Sequence, residues 1–317
     1  MSNLTREYNL DGLTYNSSAS IGVTLFNSEN LSKEDLLKQA DMAMYKAKYA
    51  GRNGVQFFDP QMQVAVSSRA AIISDLYSAI QSQQFVLFYQ KQVNHLKQCI
   101  GVEVLLRWIH PEKGMVSPLQ FIPLAEETGL IVPIGEWVLE EACATLAKWS
   151  LESEKQHLSI AVNISVVQFS KDNFVQTVLN ALKTSGANPQ LLKLEITETL
   201  LANNIPDVKA KMKELQQHGV TFSIDDFGTG YSSLSYLKQL PINQLKIDQG
   251  FVRDIINSSN DRAIAQAVIT LANSMELQVI AEGVETEAQR ALLQSMGCHT
   301  YQGYLYGKPC RIEELHF

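Results

Sequence analysis

LLKLEITETLLANNIPDVKAKMKELQQHGVTFSIDD, residues 191–226, reads as a strand–helix–strand unit: a β-type run over 191–197, an amphipathic helix over 205–218 closed by Gly219, and a second β-type run over 220–225. The same alternation extends in both directions. Upstream lie FVLFYQ (85–90), IGVEVLLRW (100–108) and LSIAVNIS (158–165); downstream lie QLKID (244–248), LQVIAE (277–282) and CHTYQGY (298–304). Helical patterns over 134–149, 173–185, 260–275 and 286–295 separate most of these runs, several ending at Gly186, Gly219 or Gly297. Eight strands alternating with helices from residue 85 onward predict an α/β fold, a parallel TIM-type (β/α)8 barrel. An open doubly wound sheet is the alternative, but it normally carries a Gly-rich phosphate loop after its first strand, and none is present. The first two runs are joined only by KQVNHLKQC (91–99), too short for a helical crossover, so the first strand is expected to be antiparallel.

Ahead of the barrel, residues 1–58 read as a small α+β unit: a hairpin around Asn9-Leu10-Asp11-Gly12, a strand at 20–26, a helix at 32–50 and a strand at 55–58. Residues 59–84 lack Gly and place Met62, Val66, Ile73, Leu76 and Ile80 near a helical period, predicting a linker helix leading into a barrel over 85–317. The chain has 317 residues, 45% of them hydrophobic, and carries 26 Lys and Arg against 33 Asp and Glu, a net charge of −7. That balance argues against a nucleic-acid polymer or a membrane surface as partner. Neither a signal-peptide core nor a long uninterrupted apolar run is present. Cys99, Cys143, Cys298 and Cys310 show no CxxC spacing, which suits a reducing, cytoplasmic setting.

The chemistry lies in where the acidic residues fall. Glu103, Asn163, Glu195, the pair Asp225-Asp226, Asp248 and Glu282 each stand at or near the C-terminal end of a predicted strand. In a parallel barrel those ends converge on one face. Any one of these residues alone reads as polar lining or a salt-bridge partner, and Asp225-Asp226 alone reads as a turn. Together they form a cluster whose mutual repulsion, magnified by burial, calls for cations. Oxygen ligands without His or Cys point to Mg²⁺ or Mn²⁺, in numbers sufficient for two ions, and two ions point first to phosphoryl chemistry. Lys246 shares a strand face with Asp248 and would enter the cluster either as a catalytic group or as a structural ion-pair partner. Arg107, on the strand of Glu103, would hold a phosphate or form a surface bridge. An enolase-like barrel, with strand-end carboxylates holding Mg²⁺ and a Lys abstracting a proton, is a rival that leaves the Asp225-Asp226 pair and DFGTG (226–230) unexplained.

Glu103-Val104-Leu105-Leu106-Arg107-Trp108, SPLQFIPLAEETGLIVPIGEWVL (117–139), VNIS (162–165), LEITET (194–199), DDFGTGYSSLSYL (225–237), LKID (245–248), AEGVE (281–285) and QGYL (302–305) closely resemble the EAL-domain family over about residues 69–317. The resemblance implies a modified TIM barrel with an antiparallel first strand that hydrolyses cyclic di-GMP to linear pGpG by two-metal activation of water. By motif, Glu103, Asn163, Glu195 and Asp225 are implied as ligands of one Mg²⁺ or Mn²⁺, with Asp225, Asp226 and Glu282 holding the second. Lys246 matches the lysine that contacts the attacking water. Glu198 and Glu285 match supporting glutamates, the former bracing the 226–237 loop. Gln90, Arg107 and Gln302 match polar contacts to substrate or water, and Asp248 neighbours the metals. Ca²⁺ is expected to inhibit, and a homodimer coupled to the metals through the 226–237 loop is expected. Val104 replaces the signature Ala, and Lys91 stands where the family usually has Pro. A binding-only receptor is the family alternative, although such members typically lose metal ligands. Residues 19–59 resemble the C-terminal end of a GGDEF domain, beginning after its signature, which implies no GTP-binding half in this stretch.

Overall fold

The computed structural model describes residues 7–10, 13–26, 31–49, 51–202, 204–228 and 237–317. Two compact units emerge, Met1–Asp75 and Leu76–Phe317, dividing within the helix Pro60–Gln81. In the first, β1 (Glu7–Leu10) and β2 (Leu13–Asn16) form the expected antiparallel hairpin; its turn residues Asp11 and Gly12 lie outside the described residues. Strands β3 (Ile21–Val23) and β4 (Val55–Phe57) are parallel, a pairing that requires a crossover, and the helix Lys33–Tyr49 supplies it. Gly22 lets that helix sit directly on β3: a Cβ there would lie 2.0 Å from the Ala40 carbonyl oxygen.

The second unit contains β5 (Phe85–Asn94), β6 (Cys99–His110), β7 (Gly114–Val116), β8 (Ser159–Ile164), β9 (Leu192–Thr197), β10 (Thr221–Phe227), β11 (Gln244–Ile247), β12 (Gln278–Ala281) and β13 (Thr300–Gln302). All but β7 close into an eight-stranded barrel in the order β5-β13-β12-β11-β10-β9-β8-β6, with β5 returning to β6. β5 is antiparallel to both its neighbours and the rest pair in parallel. Asn94 makes the reversal: its side-chain oxygen accepts from the backbone N–H of Leu96 and Gln98 at 2.9 and 3.0 Å, and Lys97 takes a positive φ of 63°. The structure adds β7, an antiparallel extension of β6 that the sequence pattern does not signal.

Alternation within the strands separates two environments. Val102 and Val104, Val162, Leu194 and Ile196, Ile224, and Leu245 and Ile247 are buried on the outer face. The helices Ile131–Trp149, Phe174–Ser185, Ile205–Gln217 and Ser259–Ser274 contribute Leu139, Val178, Leu215 and Ile269 to the same apolar core. Their intervening neighbours point into the barrel and are polar: Gln90, Gln92, Glu103, Glu195, Ser223, Gln244, Lys246 and Gln302 are all buried. Val104, which replaces the signature Ala, thus faces away from Glu103 into the outer packing layer. No described helix is long and apolar enough to cross a membrane, and all four cysteines are free thiols.

Gly303 follows Gln302 where the chain closes on the Glu282 loop. A Cβ there would lie 2.2 Å from the carbonyl oxygen and 2.3 Å from the nitrogen of Val284, and both groups are engaged, Val284 N–H with Gln302 and Leu305 N–H with Val284. Gly114 also has a positive φ, 68°, but faces open space. Gly303→Ala is therefore expected to cost about 1–3 kcal/mol through overpacking, and Gly114→Ala about 1 kcal/mol through backbone strain alone. Thermal denaturation of the two variants checks this; an equal loss would contradict the close approach at Val284.

Candidate active site

Interior-facing residues of neighbouring strands meet at Lys246, with Glu103 standing within the long β6 rather than at its carboxyl end. Its Nζ lies 2.6 Å from Glu195 Oε2, 2.6 Å from Glu282 Oε1, 3.1 Å from Asp225 Oδ1 and 3.8 Å from Glu103 Oε1. Residues from β6, β9, β10 and β11, with Glu282 just beyond β12, thus converge, and Lys246 itself is 0% exposed. Burial works against a charged lysine, but Asp225, Glu103, Glu195 and Glu282 outweigh it and hold the ammonium pKa well above the ordinary value. One ammonium in contact with four carboxylates leaves an excess of negative charge, offset in part by Lys193 two residues before Glu195, whose Nζ donates to Gln244 Oε1 at 2.8 Å. Burial pushes the Glu195 carboxyl up to about 8, with Glu103 and Asp225 adding to the rise and Lys246 opposing it. Glu282 is raised well above the carboxylate range, by burial first and by Asp225, Glu103 and Glu195 in addition.

Consecutive strand residues ordinarily point to opposite faces. Asp225 and Asp226 escape that rule because β10 bulges. Ile224 pairs with Leu245 and Phe227 with Ile247, so three steps on β10 match two on β11. Asp226 takes up the extra residue at a φ of 53°, in the left-handed region that Asp tolerates better than most residues. Its backbone N–H donates to Asp225 Oδ1 at 3.0 Å. The result is a triad, Asp225, Asp226 and Glu282, each offering one oxygen, with all three atoms within 4.8 Å of one another. Burial, then Asp225 and Asp248, push the Asp226 carboxyl up to about 6. Asp248 caps the following turn by accepting from Gly250 N–H at 2.9 Å.

Glu103 is held by amides. Asn163 Nδ2 donates to its Oε1 at 2.6 Å, and Gln302 Nε2 donates to its Oε2 and to Gln90 Oε1, the latter at 3.1 Å. Gln90 Nε2 donates in turn to the Gly307 carbonyl at 3.1 Å, and Gln92 Nε2 donates to Gln302 Oε1 at 3.0 Å. Glu195 Oε1 is fully buried with no hydrogen-bond partner among the described residues. An orphaned carboxylate oxygen beside Glu103, Asp225 and Lys246 is a strong observation in favour of a cation, because leaving such an acceptor unpaired costs its full desolvation energy. The donor set, all oxygen, suits Mg²⁺ or Mn²⁺.

The remaining predicted residues divide. Buried Glu198 accepts from Gly228 N–H at 3.3 Å, at the start of the 226–237 loop. That loop's residues 229–236, including Ser232 and Ser233, lie outside the described residues. Arg107 sits 5.6 Å from the centre of the Phe88 ring, and burial lowers its pKa against the opposing charge of Glu103. Glu285 is not drawn into the cluster: it is exposed, and its backbone N–H is held by Gln289 Oε1. Two features escape the sequence reading. The bulge at Asp226 is one, for which adjacent acidic residues at a strand end are the signal. Gln92 is the other, and its two-residue spacing from Gln90 is the signal.

Comparison with known proteins assigns the chain to a family. The EAL domain family matches residues 73–309, and the diguanylate cyclase GGDEF domain family matches residues 1–54, further toward the N-terminus than the resemblance over 19–59. The bifunctional diguanylate cyclase/cyclic di-GMP phosphodiesterase MucR of Pseudomonas aeruginosa is 45% identical over 299 residues, covering 94% of this chain and 44% of MucR. The cyclic di-GMP phosphodiesterase NbdA of the same organism is 39% identical over 307 residues, covering 96% of this chain and 39% of NbdA. The chain thus spans less than half the length of these curated relatives. The solved MucR phosphodiesterase in complex with cyclic di-GMP superposes with a TM-score of 0.75 at 46% identity, covering 78% of this chain and all of that one. The chain therefore belongs to the EAL domain family, with a GGDEF fragment at residues 1–54, and is homologous to cyclic di-GMP phosphodiesterases.

Proposed function

We propose that this chain hydrolyses cyclic di-GMP to linear pGpG at the Lys246 cluster. The observation that carries the reading is the buried excess of negative charge: four carboxylates around one ammonium, with Glu195 Oε1 unpaired. Asp225, Asp226 and Glu282 would hold one Mg²⁺ or Mn²⁺, and Glu103, Asn163, Glu195 and Asp225 a second. When bound, such ions neutralise phosphate charge and lower the pKa of water. The same oxygens accept Ca²⁺ at longer distances, which underlies its expected inhibition.

The chain's own groups then have distinct tasks. Without metal the surrounding carboxylates hold Lys246 as an ammonium; at the loaded site it would orient the attacking water and offset negative charge on the phosphate. Water adds to phosphorus as the P–O3′ bond breaks, and the one proton the water gives up balances the one that the leaving 3′-oxygen takes. Arg107 supplies a planar donor to a phosphate oxygen above Glu103. The amides of Asn163, Gln302 and Gln90 fix Glu103 so that the site need not reorganise during reaction. Glu198 ties the cluster to the 226–237 loop, Asp248 supports Asp226, and Glu285 stands at the outer edge of the Glu282 loop. Free thiols and the acidic balance fit a cytoplasmic protein, and a homodimer coupled to the metals through the 226–237 loop is part of the same proposal.

Incubation of the purified chain with cyclic di-GMP and Mn²⁺ should yield pGpG; tight binding without turnover would overturn the reading. Lys246→Ala separates catalysis from charge balance. Removing it leaves buried carboxylates uncompensated, so the melting temperature in EDTA should fall. Mn²⁺ should restore that temperature while turnover stays about 10²–10⁴-fold down, the range for a lost proton-handling or water-positioning group. Full recovery of turnover at saturating Mn²⁺ would remove Lys246 from the catalytic set.

The raised carboxyls also set a pH dependence. Between the ordinary glutamate value of 4.5 and about 8, the folded state holds a proton on Glu195 that the unfolded state has released. Stability without metal must therefore fall as pH rises through that window. Asp226, raised to about 6, acts in the same direction. Melting temperatures in EDTA should decline across this range, and the stabilisation by added Mg²⁺ should grow. A flat or rising profile in EDTA would contradict the excess of negative charge.

A further inference from the structure

Gln92 touches neither Lys246 nor any carboxylate of the cluster in the contacts described above, yet it is 1% exposed and lies inside the barrel. It is the cross-strand partner of Gln302 on β13, while Gln90, two residues earlier and on the same face, is the partner of Glu103 on β6. The antiparallel strand β5 thus sets a Gln-x-Gln pair between the two strands that carry Glu103 and Gln302. A primary amide has one acceptor end and one donor end, and turning it over exchanges them. Both outgoing bonds of the Gln302 amide leave from Nε2, toward Glu103 Oε2 and Gln90 Oε1. Its Oε1 receives Gln92 Nε2 at 3.0 Å. Were the Gln302 amide reversed, its oxygen would face two other oxygens, and its NH2 group would face the NH2 group of Gln92.

We infer that Gln92 is a positioning residue for the metal site. By donating to Gln302 Oε1 it fixes the orientation of that amide, so that Gln302 presents N–H to Glu103 and holds the carboxylate in its ligating pose. This rests on the metal reading above, and it assigns to a buried glutamine outside the ligand set a share of the site's cation affinity. Outer partners that orient a ligand typically contribute a factor of about 10–100 in metal affinity.

The test is a double-mutant cycle on the full chain, with Mn²⁺ binding measured by calorimetry and folding followed by melting temperature. Gln92→Leu should weaken Mn²⁺ binding about tenfold. In a Gln302→Leu background the same change should cost less than about twofold, because the amide through which Gln92 acts is gone. A merely structural role would give the same loss in both backgrounds, and that result would overturn the inference, as would unchanged Mn²⁺ binding in Gln92→Leu. Should the leucine variant not fold, Gln92→Met, apolar and nearest in shape, enters the same cycle with the same expectations. A parent chain that binds no Mn²⁺ would refute the metal reading together with the inference, whereas normal binding by the parent and by Gln92→Leu would refute the inference alone.

Discussion

Four carboxylates share one buried ammonium at the centre of this barrel, and most of the unit's construction serves that imbalance. Lys246 lies within 3.8 Å of Glu103, Glu195, Asp225 and Glu282. Grouped carboxylates inside a protein repel one another and raise each other's pKa. An apolar replacement would be easier to bury, so the arrangement is a poor way to stabilise a fold. As a receptacle for divalent cations and a phosphodiester it is coherent: lysine and protons hold the carboxylates until stronger cations arrive, and the apolar layer outside the strands carries the folding energy that the interior does not.

Two departures from a regular barrel shape the site. Reversal of β5 brings Gln90 and Gln92 between Glu103 and Gln302, where a parallel strand arriving from a helix would present a different register. The bulge in β10 turns Asp226 to the same side as Asp225 and completes the triad with Glu282. Each departure costs backbone regularity, and Asp226 adds the strain of a positive φ. Both occur where the chemistry is, as strained features tend to.

Much of this was legible from the chain alone. Eight β-type runs stand at the eight barrel strands, and the short link between the first two implied the antiparallel pair, because a hairpin loop cannot carry a crossover helix. The recurrence of acidic residues at strand ends indicated one face and one chemistry. Less legible were features that depend on pairing between distant strands. The bulge at Asp226 is defined only by the register against β11, and β7 is too short to show a period. The role of Gln92 depends on which residue lies opposite it on β13, a partner more than 200 positions away in sequence. Glu285 shows the converse: motif likeness marks it as a supporting glutamate, while in the structure it is exposed and its backbone N–H donates to Gln289 Oε1.

Anomalous diffraction at the manganese edge, from crystals of the chain grown with Mn²⁺, locates the ions. Two peaks are expected, one among Asp225, Asp226 and Glu282 and one among Glu103, Asn163, Glu195 and Asp225, with Lys246 Nζ drawn away from at least one carboxylate it now contacts. Manganese bound elsewhere, or a cluster in which Lys246 keeps all four carboxylates and no ion enters, would contradict two-metal binding at the Lys246 cluster.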